Sequence, residues 1–136
     1  MKKGILFVLF LTFVLGSSMA QQVLVKGKAV AEVKTNGDVS INDKFVGIFD
    51  KNGDVYKNGQ RVGQIRPNGE FWVNGSKAGK FEADGNVYKS NAVVGKVEFP
   101  GEVYDAEKKK IASGKGIKRE WLAGLFFFYF KDELLQ

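Results

Sequence analysis

The chain repeats one sixteen-residue phrase without gaps, and this period constrains the fold more than any other feature. Four copies begin at Asn36, Asn52, Asn68 and Asp84, and a fifth begins at Pro100 with one extra residue near Glu107. A degenerate earlier copy, VLVKGKAVAEVKT, lies in register over 23–35. A fixed period of this kind indicates small supersecondary units that bury a core only together.

Each copy reads as strand, turn, strand, turn. The copies open with Asn-Gly, Asp-Gly or Pro-Gly, and a second turn signal follows in mid-repeat, as in the Asn-Gly at Asn58. Asn-Gly and Asp-Gly supply the positive φ angles that tight hairpins need. β-branched and aromatic residues fill the segments between the turns, which is typical of strands.

Two adjacent columns of the aligned repeats are predicted to line opposite faces of the strands, because neighbouring strand residues point to opposite sides. A glycine column, typical of a bulge, a bend or a close backbone approach, predicts a crowded spot where each hairpin meets its neighbour. The first column is Val39, Val55, Phe71, Val87 and Val103; the second is Ser40, Tyr56, Trp72, Tyr88 and Tyr104; the glycines are Gly47, Gly63, Gly79 and Gly95.

We therefore predict an all-β domain over 21–116, in which five 16-residue hairpin repeats close radially. One hairpin alone is not stable in water, whereas a closed set shares a core and protects its edges. The segment 23–35 could pair with the last copy and seal the ring. An open hairpin solenoid is the alternative architecture.

The first twenty residues are predicted to be a signal peptide. Lys2 and Lys3 precede the apolar run ILFVLFLTFVLG, and Ser18 and Ala20 suit cleavage between Ala20 and Gln21. This predicts export by the Sec route to the periplasm, the outer surface or the medium. An uncleaved membrane anchor is the alternative, and the absence of cysteine excludes a lipoprotein anchor.

The chain has neither cysteine nor histidine. It therefore has no disulfides, thiol nucleophile, imidazole base or ordinary zinc site. The formal net charge is +6, with lysines and acids interleaved along the chain, which indicates a solvated surface and no nucleic-acid footprint. We expect no enzymatic activity and no cofactor.

A basic and aromatic segment over 117–136 follows the repeats. From Trp121 to Phe130 every side chain is apolar or aromatic, apart from Gly124. Such a run is predicted to be buried on all sides, as a short element, helix or strand, laid across one mouth of the ring and plugging its core. Two alternatives are a membrane interface, favoured by the basic residues upstream, and a protein-docking surface. The docking candidates are Trp121, Phe126, Phe127, Phe128 and Phe130.

Copies of the pattern NGxVYxNGxxVGxI after a signal peptide, followed by an aromatic run, resemble the five-fold β-flower proteins of Gram-negative Bacteroidetes. The resemblance covers about residues 23–130. It implies a fold and assigns no activity. The fifth copy departs from the pattern, because AEKKK replaces its mid-repeat turn and its glycine is displaced.

Acids recur beside the turns, at Asp38, Asp54, Glu70 and Glu102. Clustered carboxylates suit calcium, and DKNGD resembles the start of an EF-hand loop. However, the sixth position of that loop is Val55 and the twelfth is Arg61, so no metal site is predicted. No pair of acids is unique among the repeats, so no catalytic residue is predicted either.

The aromatic column supplies the candidate ligand-stacking residues, Tyr56, Trp72, Tyr88 and Tyr104. Equivalent rings around a ring-shaped domain could stack on sugar faces and add avidity, or could pack between hairpins. The first functional hypothesis is an exported, non-enzymatic structural or protein-interaction module. The alternatives are a glycan-binding module and a membrane-associated module. The partner protein or glycan, and the oligomeric state, stay open.

Overall fold

The computed structural model describes residues 20–135, so the predicted signal peptide, apart from Ala20, lies outside the described residues. Twelve strands precede three short helical segments. The strands are β1 (Ala20–Val25), β2 (Lys28–Lys34), β3 (Asp38–Ile41), β4 (Lys44–Phe49), β5 (Asp54–Lys57), β6 (Gln60–Ile65), β7 (Glu70–Val73), β8 (Ser76–Phe81), β9 (Asn86–Lys89), β10 (Ala92–Glu98), β11 (Glu102–Asp105) and β12 (Lys110–Ser113). The helical segments are α1 (Arg119–Ala123), the π-helix π1 (Gly124–Tyr129) and α2 (Lys131–Leu134).

Consecutive strands pair in antiparallel fashion around a closed sheet, and β1 pairs with β12 to complete it. The predicted radial closure is thus confirmed. The degenerate first copy is a complete hairpin, β1–β2, so six hairpins form the ring. At the seam, the only residue pair in register is Leu24 with Ser113, whereas three or four pairs join the other neighbouring hairpins.

The turns fall on two rims, which differ in geometry. At the tips of the first five hairpins, both central residues have positive φ, as at Asn58 (52°) and Gly59 (81°). This is the geometry of a two-residue type I′ turn. On the opposite, inter-repeat rim only the glycine has positive φ: Gly53 (91°) donates to the Asp50 carbonyl, and the Asp50 carboxylate accepts the Asn52 N–H at 2.7 Å.

The sixth hairpin closes through a longer loop, as the altered fifth repeat indicated. The Asp105 side chain accepts the backbone N–H groups of Glu107 and Lys109 at 3.0 and 2.9 Å. Lys108 adopts a positive φ of 66° within this loop. One carboxylate therefore organises the loop in place of an Asn-Gly dipeptide.

The two strand columns lie on opposite faces, as predicted. Every member of the first column is fully buried, from Val39 to Val103. The aromatic column on the outer face is half-buried. The buried column forms one hydrophobic cluster with the C-terminal residues Leu122, Leu125 and Phe126.

A β-bulge interrupts each hairpin immediately before the glycine column. In β3–β4, Val39 pairs with Gly47 and Ser40 pairs with Phe45, which leaves Val46 as the extra residue. The same shift leaves Val30, Val62, Ala78, Val94 and Ile111 unpaired within their hairpins. The predicted bulge is therefore confirmed, and the residue after it is always small: Ala31, Gly47, Gly63, Gly79, Gly95 or Ala112.

The C-terminal segment runs through the ring from one rim to the other. Trp121 stacks on Phe49 near the inter-repeat rim, and Glu133 pairs with Lys57 near the hairpin tips. As expected, it is helical and buried and it fills the core of the ring; it passes through the interior, however, whereas the prediction laid it across one mouth. The small residues after the bulges leave the space that this placement needs.

Each glycine of the column faces one aromatic ring of the central segment. A Cβ atom at any of these glycines would lie under 3.0 Å from a ring atom, and also under 3.0 Å from a carbonyl oxygen of the next hairpin. The predicted crowding between hairpins is confirmed, and the ring adds a second constraint. The pairs are Gly47 with Phe130, Gly63 with Tyr129, Gly79 with Phe128 and Gly95 with Phe127.

Four successive residues thus meet four successive hairpins, in reverse chain order. Six hairpins around a circle are separated by roughly 60°, whereas an α-helix turns by about 100° per residue. A π-helix, with i→i+5 hydrogen bonds, has more residues per turn and rotates less at each one. In the π-helix at Gly124–Tyr129, the rotation from one residue to the next is therefore closer to the angle between neighbouring hairpins.

We expect Gly79→Ala to lower the free energy of unfolding by about 1–3 kcal/mol, the range of overpacked cores. The added methyl group would collide with the Phe128 ring and the Tyr88 carbonyl. The matched control is Gly75→Asn at a hairpin tip, where Asp43 and Asn91 occupy the equivalent positions with positive φ. It should change the stability by less than about 0.5 kcal/mol. Urea denaturation followed by circular dichroism measures both; equal effects would contradict this account of the column.

A chain that ends at Gly116 should fail to unfold cooperatively, because it loses the side chains that fill the ring. Residues 21–136 serve as the control, and we expect them to melt in one transition as a soluble species. Thermal unfolding and sedimentation distinguish the two chains. A cooperative transition in the shortened chain would show that the hairpins form a core without the central segment.

Candidate functional site

The outer face carries two grooves between consecutive hairpins that are lined by equivalent positions, sixteen residues apart. We call them the Trp72 groove and the Tyr88 groove, with volumes of about 380 and 500 Å³. Each has an aromatic side chain from the column and a set of polar neighbours. The Trp72 groove includes Arg61, Gln64, Arg66, Trp72 and Asn74, and the Tyr88 groove includes Lys77, Lys80, Glu82, Tyr88 and Ser90.

In the Trp72 groove, the aromatic ring is already covered. The guanidinium carbon of Arg66 lies 3.8 Å from the Trp72 ring centroid, and Arg66 Nε donates to the Gln64 side chain at 3.2 Å. The indole N–H donates to Glu70 at 3.1 Å. Hydrogen bonds therefore fix both the guanidinium of Arg66 and the indole of Trp72. The guanidinium covers one face of the indole ring, so a ligand cannot stack on that face.

In the Tyr88 groove, the position equivalent to Arg66 is Glu82. This carboxylate pairs with Lys80 at 3.2 Å, and a carboxylate has no attraction to the negative face of an aromatic ring. Among the cation–ring contacts between residues 20 and 135, none involves Tyr88. The half-buried Tyr88 ring thus faces a groove that no guanidinium fills.

The other two candidate stacking residues have different surroundings. Tyr104 donates its hydroxyl proton to Glu102 at 3.0 Å, a bond that raises the pKa of the tyrosine. Tyr56 lies in register between Ile48 and Arg61. Tyr56, Trp72, Tyr88 and Tyr104 therefore occupy equivalent half-buried places, but their neighbours make them chemically distinct.

Three of the four acids beside the turns form ion pairs across their own hairpins, whereas Asp38 accepts a hydrogen bond from the Asn36 amide at 3.5 Å. Asp54 pairs with Arg61 at 3.0 Å and Glu70 with Lys77 at 3.1 Å; Glu102 pairs with Lys110. Hydrogen bonds from Trp72 and Lys77 lower the pKa of Glu70, and the Lys110 bond lowers that of Glu102. In the described part of the chain, no three such side chains gather into a group that could hold a metal ion.

The docking candidates of the C-terminal run belong to the protein's own core. Phe126, Phe127 and Phe130 are less than 9% exposed. Phe128 stacks on Phe71 with ring centroids 4.2 Å apart, and Trp121 stacks on Phe49 at 5.7 Å. Residues 20–135 contain no helix that is long and apolar enough to cross a membrane. The aromatic run therefore supplies packing between hairpins and leaves little side-chain surface for a partner.

A third depression, which we call the mouth cleft, lies on the inter-repeat rim and has a volume of about 540 Å³. The turns over 50–54 and 66–69 form one side of it. The start of the C-terminal segment, over 118–121, forms the other. The cleft therefore lies where the central segment enters the ring.

Sequence reasoning missed a polar cluster inside the ring. The Tyr129 hydroxyl lies 2.8 Å from the Trp72 carbonyl and 3.2 Å from that of Gln64, and burial raises the pKa of the phenol well above its usual range. Lys57 donates to the Tyr129 carbonyl at 3.1 Å and pairs with Glu133. No local pattern could have identified this cluster, because it exists only once the segment passes through the ring.

Fold and grooves together define a class: a β-hairpin repeat protein closed around its own C-terminal helix, with aromatic grooves between the hairpins on its outer face. The model of one family, described as 5-fold beta-flower protein, matches residues 21–130, and the chain belongs to that family. A search of curated proteins found no match. A search of solved structures found none either.

The buried phenol of Tyr129 predicts a loss of stability in alkali. Its pKa is higher in the folded protein than in the unfolded chain. Its contribution to stability is therefore complete below about pH 10, the usual tyrosine value, and is lost as the pH rises towards the folded-state pKa. Tyr129→Phe should lower the free energy of unfolding at neutral pH by about 1 kcal/mol and make the alkaline loss shallower.

Urea unfolding at neutral and alkaline pH measures both effects. Ser90→Ala, which removes an exposed hydroxyl at a hairpin tip, is the control and should keep the wild-type pH dependence. An unchanged alkaline slope in Tyr129→Phe would show that another group causes the loss.

Proposed function

We propose that this chain is an exported, non-enzymatic binding module that takes a glycan in the Tyr88 groove. One observation carries the proposal: Tyr88 presents a half-buried aromatic ring to a groove of about 500 Å³ that charged and polar side chains also line. Export rests on the predicted signal peptide. In a Gram-negative bacterium such as a member of the Bacteroidetes, it would place the ring in the periplasm or at the outer surface.

The lining of the groove fits a sugar better than an apolar ligand. The C–H face of a pyranose ring is apolar and stacks on an aromatic ring, while its hydroxyl groups need donors and acceptors around the edge. Ser90 and Asn91 supply a hydroxyl and an amide, and the Lys80–Glu82 pair supplies charged partners. The volume lies within the range of small-molecule sites, roughly 300–1,000 Å³.

The absence of enzymatic activity is supported by the available side chains. The chain has no histidine or cysteine, and the acids Asp54, Glu70 and Glu102 hold ion pairs with cations of their own hairpins. Lowered pKa values at Glu70 and Glu102 keep these carboxylates ionised and unsuited to donate protons at neutral pH.

A protein-interaction module is the second candidate, and exposed apolar side chains on the ring favour it. Phe99 is 78% exposed on the inter-repeat rim and Phe45 is 55% exposed on the outer face. Because the C-terminal run is buried, the docking surface would lie on the ring and not on the aromatic segment. A docking partner would contact Phe99 or Phe45, and neither residue lines the Tyr88 groove.

We expect Tyr88→Ala to weaken glycan binding about tenfold, which corresponds to the loss of one stacked aromatic contact. A glycan array with residues 21–136 identifies binding saccharides, and calorimetry measures their affinity. Tyr56→Ala is the matched control, because Tyr56 occupies the equivalent place two repeats earlier and does not line the Tyr88 groove; it should change the affinity less than about twofold.

Failure of every saccharide to bind, or equal losses in the two variants, would contradict the assignment of the Tyr88 groove. Binding of a protein partner that Phe99→Ala abolishes and Tyr88→Ala leaves unchanged would instead support the second candidate.

A further inference from the structure

The mouth cleft combines four cations with three carboxylates. The cations are Lys51, Arg66, Lys118 and Arg119, and the carboxylates are Asp50, Asp54 and Glu120. Asp54 is already paired with Arg61, which lies outside the cleft. Among the ion pairs between residues 20 and 135, none includes any of the four cations. The cleft therefore carries an excess of positive charge.

Aromatic rings, not carboxylates, hold three of these cations in place. Arg66 lies on Trp72, Lys118 lies 4.8 Å from the Trp121 ring centroid, and Arg119 lies 4.6 Å from that of Phe99. The two terminal nitrogens of Arg119 also reach the Ala83 carbonyl at 3.4 Å. A guanidinium that is stacked in this way keeps its charge and retains N–H donors for an anion.

Arg66 is a cation between two acids of its column. The equivalent positions in the adjacent repeats are Asp50 and Glu82, while the first hairpin carries Lys34 at the corresponding place. A cation therefore replaces an acid on the part of the inter-repeat rim that borders the mouth cleft. The difference lies in the copy whose turn, over 66–69, forms a wall of the mouth cleft.

The mouth cleft lies beside the two outer grooves. Arg66 lines both the cleft and the Trp72 groove, while Glu82 lines the Tyr88 groove and the next residue, Ala83, lines the cleft. A chain of sugars that is stacked on Tyr88 and extends past the end of β8 therefore approaches the cleft beside Ala83.

We infer that the glycan is acidic and that the mouth cleft binds the carboxylate of one of its sugars, an assignment that rests on the proposed function. Guanidinium groups bind carboxylates through paired, charge-assisted hydrogen bonds. Tyr88 then supplies the stacking contact, and Arg66 and Arg119 supply selectivity for the charged sugar.

The test compares three probes by calorimetry: an oligogalacturonide, a neutral galacto-oligosaccharide of equal length, and inorganic phosphate. Residues 21–136 should bind the acidic oligosaccharide about tenfold more tightly than the neutral one, with a preference that shrinks at high salt. Arg66→Gln and Arg119→Gln should each reduce that preference severalfold and leave binding of the neutral oligosaccharide unchanged.

Lys44→Gln is the matched control, because it removes one positive charge from an exposed site near the opposite rim. It should preserve the preference for the acidic probe. Thermal unfolding of all variants checks that the ring is intact, and the two arginine variants test the cleft through different elements.

The outcomes separate this inference from the proposed function. Equal, Tyr88-dependent binding of the acidic and neutral oligosaccharides overturns the acidic assignment and leaves the glycan module standing. No binding of either oligosaccharide overturns both. Phosphate that binds as tightly as the oligogalacturonide, together with acidic binding that is insensitive to Tyr88→Ala, identifies a simple anion site and also overturns the inference.

Discussion

The rest of the structure depends on the fit between four small residues of the sheet and four aromatic rings of the C-terminal segment. A glycine after each bulge lets a ring approach the strand, and no Cβ atom could occupy that space. Short hairpins closed in a ring would otherwise enclose an unfilled interior, which protein packing does not tolerate. Hairpins and central segment therefore stabilise each other, and neither forms the observed core alone.

Because inward-facing residues make the contacts with the central segment, the side chains on the outer face can differ between repeats. The buried column and the glycines are tied to the central rings, so the positions that vary in chemistry lie on the outside and on the rims. Arg66 and Glu82 occupy equivalent places, yet one covers its aromatic neighbour and the other does not. Differences between two copies of the repeat therefore leave one aromatic ring covered and the other open to its groove.

The repeat period made much of the fold predictable. Asn58 and Gly59 identified a hairpin tip, and the alternation of Val55 and Tyr56 identified the two faces, because turn chemistry and the two-residue strand period are local.

The path of the central segment was not predictable in this way. Gly63 contacts Tyr129, which lies more than sixty residues later in the chain. A glycine column indicates that some group approaches the strand closely, but it does not identify that group. The same limit applies to the candidate site, because the Arg66–Trp72 stack that distinguishes Trp72 from Tyr88 is visible only in three dimensions.

The aromatic residues of this protein therefore have three roles that composition alone does not separate. Phe127, Tyr129 and Phe130 fill the ring; Trp121 and Phe99 hold cations beside the mouth cleft; Tyr88 keeps a face in an outer groove. A buried ring gains its stabilisation from complementary small residues, whereas a ring at a rim gains it from a cation that it also orients. A cation that is held by an aromatic ring at the rim keeps its charge uncompensated, because it is not paired with a carboxylate. This is the physical reason that the inter-repeat rim, more than the hairpin tips, offers a place for an anionic group.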